Sequence, residues 1–435
     1  MPLKLSNYVV AVGPITDEFP WSKLVHSTRS GETLRVHLDV WDSIEAGNVD
    51  DLSASELATF VDAEILVPAD EDELSHIIQD NKAWMADSQS LYMVVQPTAN
   101  CQLGCSYCGQ RHTAQLMSSQ DQDSFVYKVE EKLRAGQDHY RELIIGWFGG
   151  EPLLGLNVIR SLTPRLKAVA QRYLCAYEAK LVTNGLSLSV PIATELVRTL
   201  GVTKLEITLD GPGSAHDSRR FLKNRQPTFD LIYNNLKKVA SEDLPVKLTV
   251  RCNVDSLNFE SVDALIDLLI DDQLHTKVSL YMMPVYSWGN DAHKSSLTPD
   301  RFAELELGWI KRLLNAGFSS WLLPRRRHRA CIAVSPDSEL VDAFGEYYKC
   351  TEVSYVPIYG NPNIYRSQSV PSRELSVLLT FNDDVQAGVY PCSTCRILPV
   401  CGGACPKRWD EGLPPCPSVK WSIENRIVEA FRRHK

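Results

Sequence analysis

A loop with three cysteines is the first feature of this 435-residue chain that could carry out chemistry. Cys101, Cys105 and Cys108 have the spacing CxxxCxxC and follow an apolar run, Leu91 to Val95, that is typical of a strand. A closed structural zinc site uses four ligands, whereas three thiolates on one loop leave one iron of a four-iron, four-sulfur cluster open for a further ligand. A zinc ion with a distant fourth ligand is the alternative.

A second group of cysteines lies towards the C-terminal end. Its spacing is CX13GX4C, a gap, CX2CX5CX3C, a gap and a last cysteine, formed by Cys331, Cys350, Cys392, Cys395, Cys401, Cys405 and Cys416. CxxC pairs suit zinc as well as iron, so zinc knuckles are the alternative to iron–sulfur sites. Cys175 and Cys252 fall outside both patterns, and we expect them to be buried as small apolar side chains.

Glycines and polar residues follow other predicted strands. Gly149 and Gly150 would let the backbone approach a ligand closely, and the next residue, Glu151, offers a carboxylate to an ammonium group. Thr208 carries a hydroxyl suited to a diol, and Arg220 a guanidinium suited to a carboxylate. Taken singly, these residues are as typical of a turn, a strand interior and a solvated charge.

Such residues meet only if the strands before them end at one edge of a sheet. Six apolar runs alternate with helical stretches: Leu91 to Val95, Leu143 to Phe148, Lys180 to Thr183, Leu205 to Leu209, Val246 to Cys252, and Val278 to Met283. This alternation predicts a parallel α/β sheet with right-handed crossovers, in which catalytic groups gather at the carboxyl ends of the strands.

Together these motifs resemble the radical S-adenosylmethionine (SAM) superfamily. The resemblance implies a partial (β/α)6 barrel over residues 86–324, in which Cys101, Cys105 and Cys108 hold a four-iron, four-sulfur cluster that binds SAM. It implies that Gly149–Gly150–Glu151 contacts the methionine amino group, Thr208 the ribose and Arg220 the carboxylate, and that the adenine lies against the backbone of Tyr281. The implied set of SAM contacts is Tyr107, Gly149, Gly150, Glu151, Thr183, Asn184, Thr208, Arg220 and Tyr281.

Residues 325–435, with their seven cysteines, resemble the SPASM domain that follows the barrel in peptide-maturing members. The resemblance implies two auxiliary four-iron, four-sulfur clusters, the outer one held by Cys392, Cys395, Cys401 and Cys416 and the inner one by Cys331, Cys350 and Cys405. The inner set is one cysteine short, so its fourth iron is either open to a substrate thiolate or water, or closed by another kind of ligand.

Sulfatase maturases of the family have an aspartate directly after the cysteine that corresponds to Cys350. Because Thr351 stands there, sulfatase maturation is disfavoured. We expect this region to be loop-rich and to need bound metal for folding.

Residues 1–85 predict a small α+β, winged-helix-like module. Strands are expected over Tyr8 to Val12 and Leu34 to Val40, and Ser53 with Glu56 predicts a helix start. The order of elements resembles the leader-binding elements that precede many peptide-maturing SPASM enzymes, which implies that a leader peptide pairs with an edge of its sheet. A structural cap on the barrel is the alternative.

Composition limits where the protein works and what it binds. The formal net charge is -9 and no basic run is long enough to bind a polyanion, so nucleic acid is not expected as a partner. The start does not resemble a signal peptide and no segment is apolar enough for a membrane span, which predicts a cytoplasmic protein with reduced thiols and no membrane partner.

The resemblance implies an oxidoreductase that uses a 5'-deoxyadenosyl radical to install an oxidative crosslink in a ribosomally made precursor peptide. The bond would be of the carbon–sulfur, carbon–carbon or ether type, and the electron donor a flavodoxin or ferredoxin. A SPASM dehydrogenase or epimerase that alters one residue without joining two is the alternative. The sequence identifies neither the precursor, nor the residues joined, nor the catalytic acid or base, nor the oligomeric state.

Overall fold

The computed structural model describes residues 2–14, 19–136, 139–328, 331–357, 378 and 380–433. Its strands are β1 (Leu3–Leu5), β2 (Val9–Val12), β3 (Ser22–Ser27), β4 (Thr33–His37), β5 (Leu66–Pro68), β6 (Ser90–Val95), β7 (Glu142–Trp147), β8 (Ala176–Thr183), β9 (Val202–Thr208), β10 (Lys247–Val254), β11 (Val278–Pro284), β12 (Glu339–Val341) and β13 (Tyr347–Tyr348). Its α-helices are α1 (Leu38–Glu45), α2 (Ala54–Asp62), α3 (Glu73–Ala86), α4 (Ser119–Ala135), α5 (Leu156–Arg172), α6 (Val190–Arg198), α7 (Ser214–Asp217), α8 (Phe229–Ser241), α9 (Val262–Asp271), α10 (Pro299–Asn315), α11 (Phe381–Gln386), α12 (Leu398–Cys401), α13 (Pro406–Asp410) and α14 (Val419–Arg433).

The central sheet contains the six predicted β/α units. Strands β6 to β11 are parallel and lie side by side in chain order, and each predicted run overlaps its observed strand. In β10, Leu248, Val250 and Cys252 are buried in the main apolar core, whereas Arg251 points to the other face of the sheet. This period of two brings the strand-end side chains to the inner face of the partial barrel.

The C-terminal region is joined to this sheet by a hairpin that the sequence did not predict. Strand β12 pairs in parallel with β6, and β13 pairs with β12 in the antiparallel direction. The region contributes apolar side chains, such as Tyr347, Phe381 and Ile397, to four buried clusters that it shares with the rest of the chain. It is loop-rich, as predicted, and its short elements are held by contacts with other parts of the chain. Residues 358–377 of this predicted domain lie outside the described ranges.

The N-terminal module has an antiparallel sheet in the order β2-β3-β4, a small pairing of β1 with β5, and helices α1 to α3. The predicted helix start is confirmed, because Ser53 and Glu56 form a reciprocal capping box at α2. The strand predicted to reach Val40 is too long: it ends at His37, whose side chain accepts a hydrogen bond from the Asp39 backbone N–H and begins α1.

The module packs against the cysteine-rich region. Val10 and Leu24 lie in one apolar cluster with Ile397 and Val400. The Thr28 hydroxyl donates to the Arg396 carbonyl at 2.6 Å. These contacts bury apolar surface that an isolated module would expose to water. Among the described helices, none is long and apolar enough to cross a membrane.

Candidate active site

A cavity of about 640 Å³ opens at the carboxyl ends of the barrel strands. Both groups of cysteines reach it: the first loop contributes all three of its thiols, and the C-terminal region contributes three of its seven. The six cysteines that line the cavity are Cys101, Cys105, Cys108, Cys331, Cys350 and Cys405. The fold thus places two sets of potential metal ligands, separated by more than 200 residues, around one space.

The first cysteine loop is held by the segment after α7. Gly104 N–H donates to the Phe221 carbonyl and Ser106 N–H to the Arg219 carbonyl, both at 2.8 Å. The Asn184 amide donates to the Cys101 sulfur at 3.8 Å. Burial raises the pKa of the Cys101 thiol to about 12, so metal binding would have to offset the cost of forming its thiolate.

Two glycines form the wall beside this loop. Gly150 has φ of +54°, and a Cβ there would lie 2.5 Å from the Asn100 carbonyl oxygen. A Cβ on Gly149 would meet the Gln96 side-chain amide. Both glycines line the cavity, so their bare backbone is what a ligand would contact.

Glu151 is placed differently from the sequence prediction. Its side chain is fully buried and is not part of the cavity wall. One carboxylate oxygen accepts from the Thr183 hydroxyl at 2.6 Å and the other from the Asn184 N–H at 2.7 Å. Burial raises the pKa of Glu151, whereas these donors lower it. Glu151 thereby fixes the positions of Thr183 and Asn184, which do line the cavity; its contact with an amino group stays a prediction.

A hydrogen-bond network on the opposite wall is centred on Tyr107. The Tyr107 hydroxyl donates to Asp210 at 2.6 Å and accepts from Arg220 at 2.7 Å and from Asn253 at 3.0 Å. Burial lowers the pKa of Arg220, but nearby Cys105, Tyr107 and Asp210 raise it well above its usual value, so the guanidinium stays charged.

Arg220 has donor capacity left at the cavity. Its buried Nε finds no hydrogen-bond partner among the described residues, although the side chain lines the cavity. Buried polar groups normally have partners, and a carboxylate would satisfy this one. Thr208, at the end of β9, lines the same cavity. The Tyr281 side chain lies away from it and donates to Glu206 at 2.8 Å, which leaves the predicted backbone contact of Tyr281 as a prediction.

The other four cysteines of the C-terminal region surround a second, smaller pocket. Its wall contains the four residues predicted to hold the outer cluster, Cys392, Cys395, Cys401 and Cys416. Burial, together with the charges of the three neighbouring thiols, raises the pKa of Cys392 to about 12. Lys420 donates to the Cys416 sulfur at 3.5 Å. Cys175 and Cys252, predicted to be apolar packing residues, are both buried in the main core.

Among the described residues, no three His, Cys, Asp or Glu side chains converge as ligands of a single metal ion would. Ligands of one zinc lie about 2.3 Å from the metal and therefore within about 4 Å of each other. An iron–sulfur cubane binds its cysteines at four separate irons, so it accepts sulfurs that are further apart. The donor set, the glycine wall and the unsatisfied Arg220 Nε fit a cluster with a carboxylate-bearing ligand beside it.

Residues 95–269 match the Radical SAM superfamily model. The chain contains a radical SAM domain. Domains of this superfamily bind SAM and a four-iron, four-sulfur cluster, and the part of the cavity lined by the matched residues, from Cys101 to Asn253, fits both. Cys101, Cys105 and Cys108 are the residues that would hold the cluster.

Solved structures share the fold of the radical SAM domain and much of the remaining chain. Native anSMEcpe with bound AdoMet is 16% identical, with a TM-score of 0.58 over 79% of this chain and 100% of that one. The same protein with AdoMet and the Cp18Cys peptide is 17% identical, with a TM-score of 0.58 over 80% and 100%. Streptococcus suis SuiB bound to precursor peptide SuiA is 12% identical, with a TM-score of 0.48 over 96% and 98%.

Some cavity residues were not singled out by sequence reasoning. Arg251 and Asn253, near the carboxyl end of β10, both line the cavity. Glu352 and Trp288 also line it and had no motif to mark them. The one available signal for Glu352 was its position two residues after a candidate ligand, Cys350.

Proposed function

We propose that this radical SAM protein installs an oxidative crosslink in a ribosomally made precursor peptide. The observation that carries the proposal is the shared cavity: the three cysteines of the SAM loop and Cys331, Cys350 and Cys405 line the same space. A peptide residue in this space would be within reach of both sets. The four cysteines around the smaller pocket support a second auxiliary site.

The chemistry supplied by the bound cofactors is the cleavage of SAM to a 5'-deoxyadenosyl radical, which removes a hydrogen atom from an unactivated carbon. The protein's own residues orient and enclose the reactants. Arg220 and Tyr107 would bind the carboxylate end of SAM, the Gly149–Gly150 backbone the amino group and Thr208 the ribose. The apolar side chains of Val285 and Phe302 in the cavity wall would exclude water from the reacting carbon.

Formation of a new bond at that carbon releases one further electron and a proton. An acceptor held by Cys331, Cys350 and Cys405 would lie at the cavity itself, and one held by Cys392, Cys395, Cys401 and Cys416 would lie at the smaller pocket in the same region. Two such sites support a net oxidation, which crosslinking and dehydrogenation require and epimerisation does not. A flavodoxin or ferredoxin would supply the electron for SAM cleavage.

Strand β4 is the proposed docking edge for a leader peptide. It is an outer strand of the β2-β3-β4 sheet, so among the described residues only β3 pairs with it. Leu38 N–H donates to the Trp21 carbonyl and Ser27 N–H to the Glu32 carbonyl, so these two facing pairs are hydrogen-bonded. Hydrogen-bonded and non-hydrogen-bonded pairs alternate along an antiparallel ladder. The pair of Leu24 with Arg35 is therefore a non-hydrogen-bonded one, and the Arg35 N–H points away from β3. It is free to join an added strand.

This docking edge can be tested without removing the module, whose deletion would expose Ile397 and Val400 of the C-terminal region. Arg35→Pro removes the outward N–H while the pairing of β4 with β3 is retained. Arg35→Ala is the control, because it removes the same side chain and its contact with the Phe19 ring, 4.4 Å away, but keeps the N–H. We expect weaker binding of the leader to the proline variant alone; equal affinities of both variants would reject the edge.

The reaction itself is tested with the precursor peptide, which we take to be the peptide encoded by a small open reading frame next to the gene for this protein. Anaerobically reconstituted protein, SAM and a reductant should lower the peptide mass by two hydrogens. Fragmentation of the product should then show a ring, recognised because backbone cleavage between the two linked residues gives no separate fragments. An unchanged mass in ordinary water, with uptake of one α-deuterium in deuterated water, would instead indicate an epimerase. An alkene or ketone without a ring would indicate a dehydrogenase.

A further inference from the structure

The inner auxiliary site has fewer cysteines than a four-iron cluster has irons. Cys331, Cys350 and Cys405 line the main cavity, while the other four C-terminal cysteines surround the smaller pocket. The cysteines of the first loop serve the SAM site. One iron of an inner cluster would therefore need a ligand other than cysteine, or would stay open.

Glu352 is placed next to this set. It lines the same cavity, and its backbone N–H faces the sulfur of Cys350, two residues before it. Glu352 therefore shares the cavity wall with Cys331, Cys350 and Cys405.

The Glu352 carboxylate has no cationic partner of its own in the described part of the chain. No ion pair within 4.0 Å involves it there, and its hydrogen bond comes from the Thr351 hydroxyl at 3.3 Å. The cations that act on it, Arg251 and Lys407, each have another carboxylate: Arg251 lies 4.0 Å from Glu206, and Lys407 pairs with Glu411. By contrast, Glu306, the other acidic residue of the cavity wall, pairs with Arg426. Glu352 is half-buried at this wall, where a metal ion would provide the counter-charge that no ion pair supplies among the described residues.

We propose that the Glu352 carboxylate is the fourth ligand of the inner auxiliary cluster. The proposal rests on the proposed function, which places a cluster at Cys331, Cys350 and Cys405. A carboxylate oxygen bound to the fourth iron closes the cluster, so the peptide does not bind iron there. The inner cluster then accepts an electron from the peptide across the cavity, and the linked atom of the peptide need not be a thiolate sulfur.

The test uses cyanide labelled with ¹³C as a probe for an open iron. The full-length chain carries Cys101→Ala, Cys105→Ala and Cys108→Ala, because the SAM cluster has an open iron of its own. The reduced protein is examined by electron–nuclear double resonance for ¹³C coupling, and its iron is counted. Glu352→Ala opens the predicted site, Glu352→Cys offers a replacement ligand, and Glu206→Gln changes a carboxylate near Arg251 that does not line the cysteine cavity.

We expect about eight irons and no ¹³C coupling in the triple-alanine background, in Glu352→Cys and in Glu206→Gln. Glu352→Ala should show ¹³C coupling, or should lose about four irons that Glu352→Cys regains. Coupling in the background would show an open iron and overturn the proposal. So would the absence of coupling in a Glu352→Ala protein that keeps its iron. A background with only about four irons would instead refute the inner cluster itself, which is a failure of the proposed function and not only of the ligand.

Discussion

Arg220→Lys tests how the site holds the carboxylate of SAM. The substitution keeps the positive charge but loses the planar fork that can donate two parallel hydrogen bonds. The Nε that finds no partner among the described residues is one of the two donors expected to bind SAM. A hydrogen bond to a charged group contributes about 1.5–3 kcal/mol, so loss of one should weaken SAM binding about 10- to 100-fold.

Equilibrium dialysis of labelled SAM against the anaerobically reconstituted protein measures this change. The neighbouring Arg219 provides a matched control, because Arg219→Lys is the same chemical change at a residue that does not line the cavity. Arg219 lies 2.7 Å from Asp255 and 3.6 Å from Asp210. Its variant should lose thermal stability but keep its SAM affinity. A SAM affinity within twofold of the wild type for Arg220→Lys, or an equal loss in both variants, would refute the assigned role.

Three further predictions follow from the geometry. Gly150→Ala places a methyl group 2.5 Å from the Asn100 carbonyl and should lower 5'-deoxyadenosine formation at least tenfold. Gly213→Ala, with φ of +48°, ψ of -123° and no atom within 4 Å of its Cβ, should instead cost about 1–3 kcal/mol of unfolding free energy through backbone strain alone. Tyr107→Phe removes the acceptor of the Arg220 Nη1 and should weaken SAM binding about tenfold at unchanged iron content, as measured by the same dialysis. Removal of iron by a chelator should increase amide exchange in β2 as well as around Ile397, because Val10 packs against it; faster exchange at Ile397 alone would show that the two regions are independent.

The barrel and its cysteine loop could be predicted because local signals and fold agree there. The six apolar runs alternate with helices, and several motifs lie at or shortly after the end of a strand, as Cys101 lies shortly after β6 and Thr208 ends β9. A parallel sheet then brings these ends to one edge without further information.

The hairpin of β12 and β13 could not be predicted in this way. Its strands have three and two residues, too short for a period of two to be recognised, and they are stabilised by pairing with distant β6. The hydrogen bonds of Glu151 could not be predicted from its motif either, since they depend on Thr183 and Asn184 at the end of another strand. Glu352 escaped notice because its importance depends on the absence of a counter-charge, which is a property of the folded cavity.

The most direct test of the account is an iron and sulfide count combined with an assay of SAM cleavage. Anaerobically reconstituted protein should contain about twelve irons and form 5'-deoxyadenosine. The variant with alanine at Cys101, Cys105 and Cys108 should keep about eight irons and form none. Zinc in place of iron, or cleavage that survives the triple substitution, would contradict the assignment of these cysteines and the radical mechanism with it.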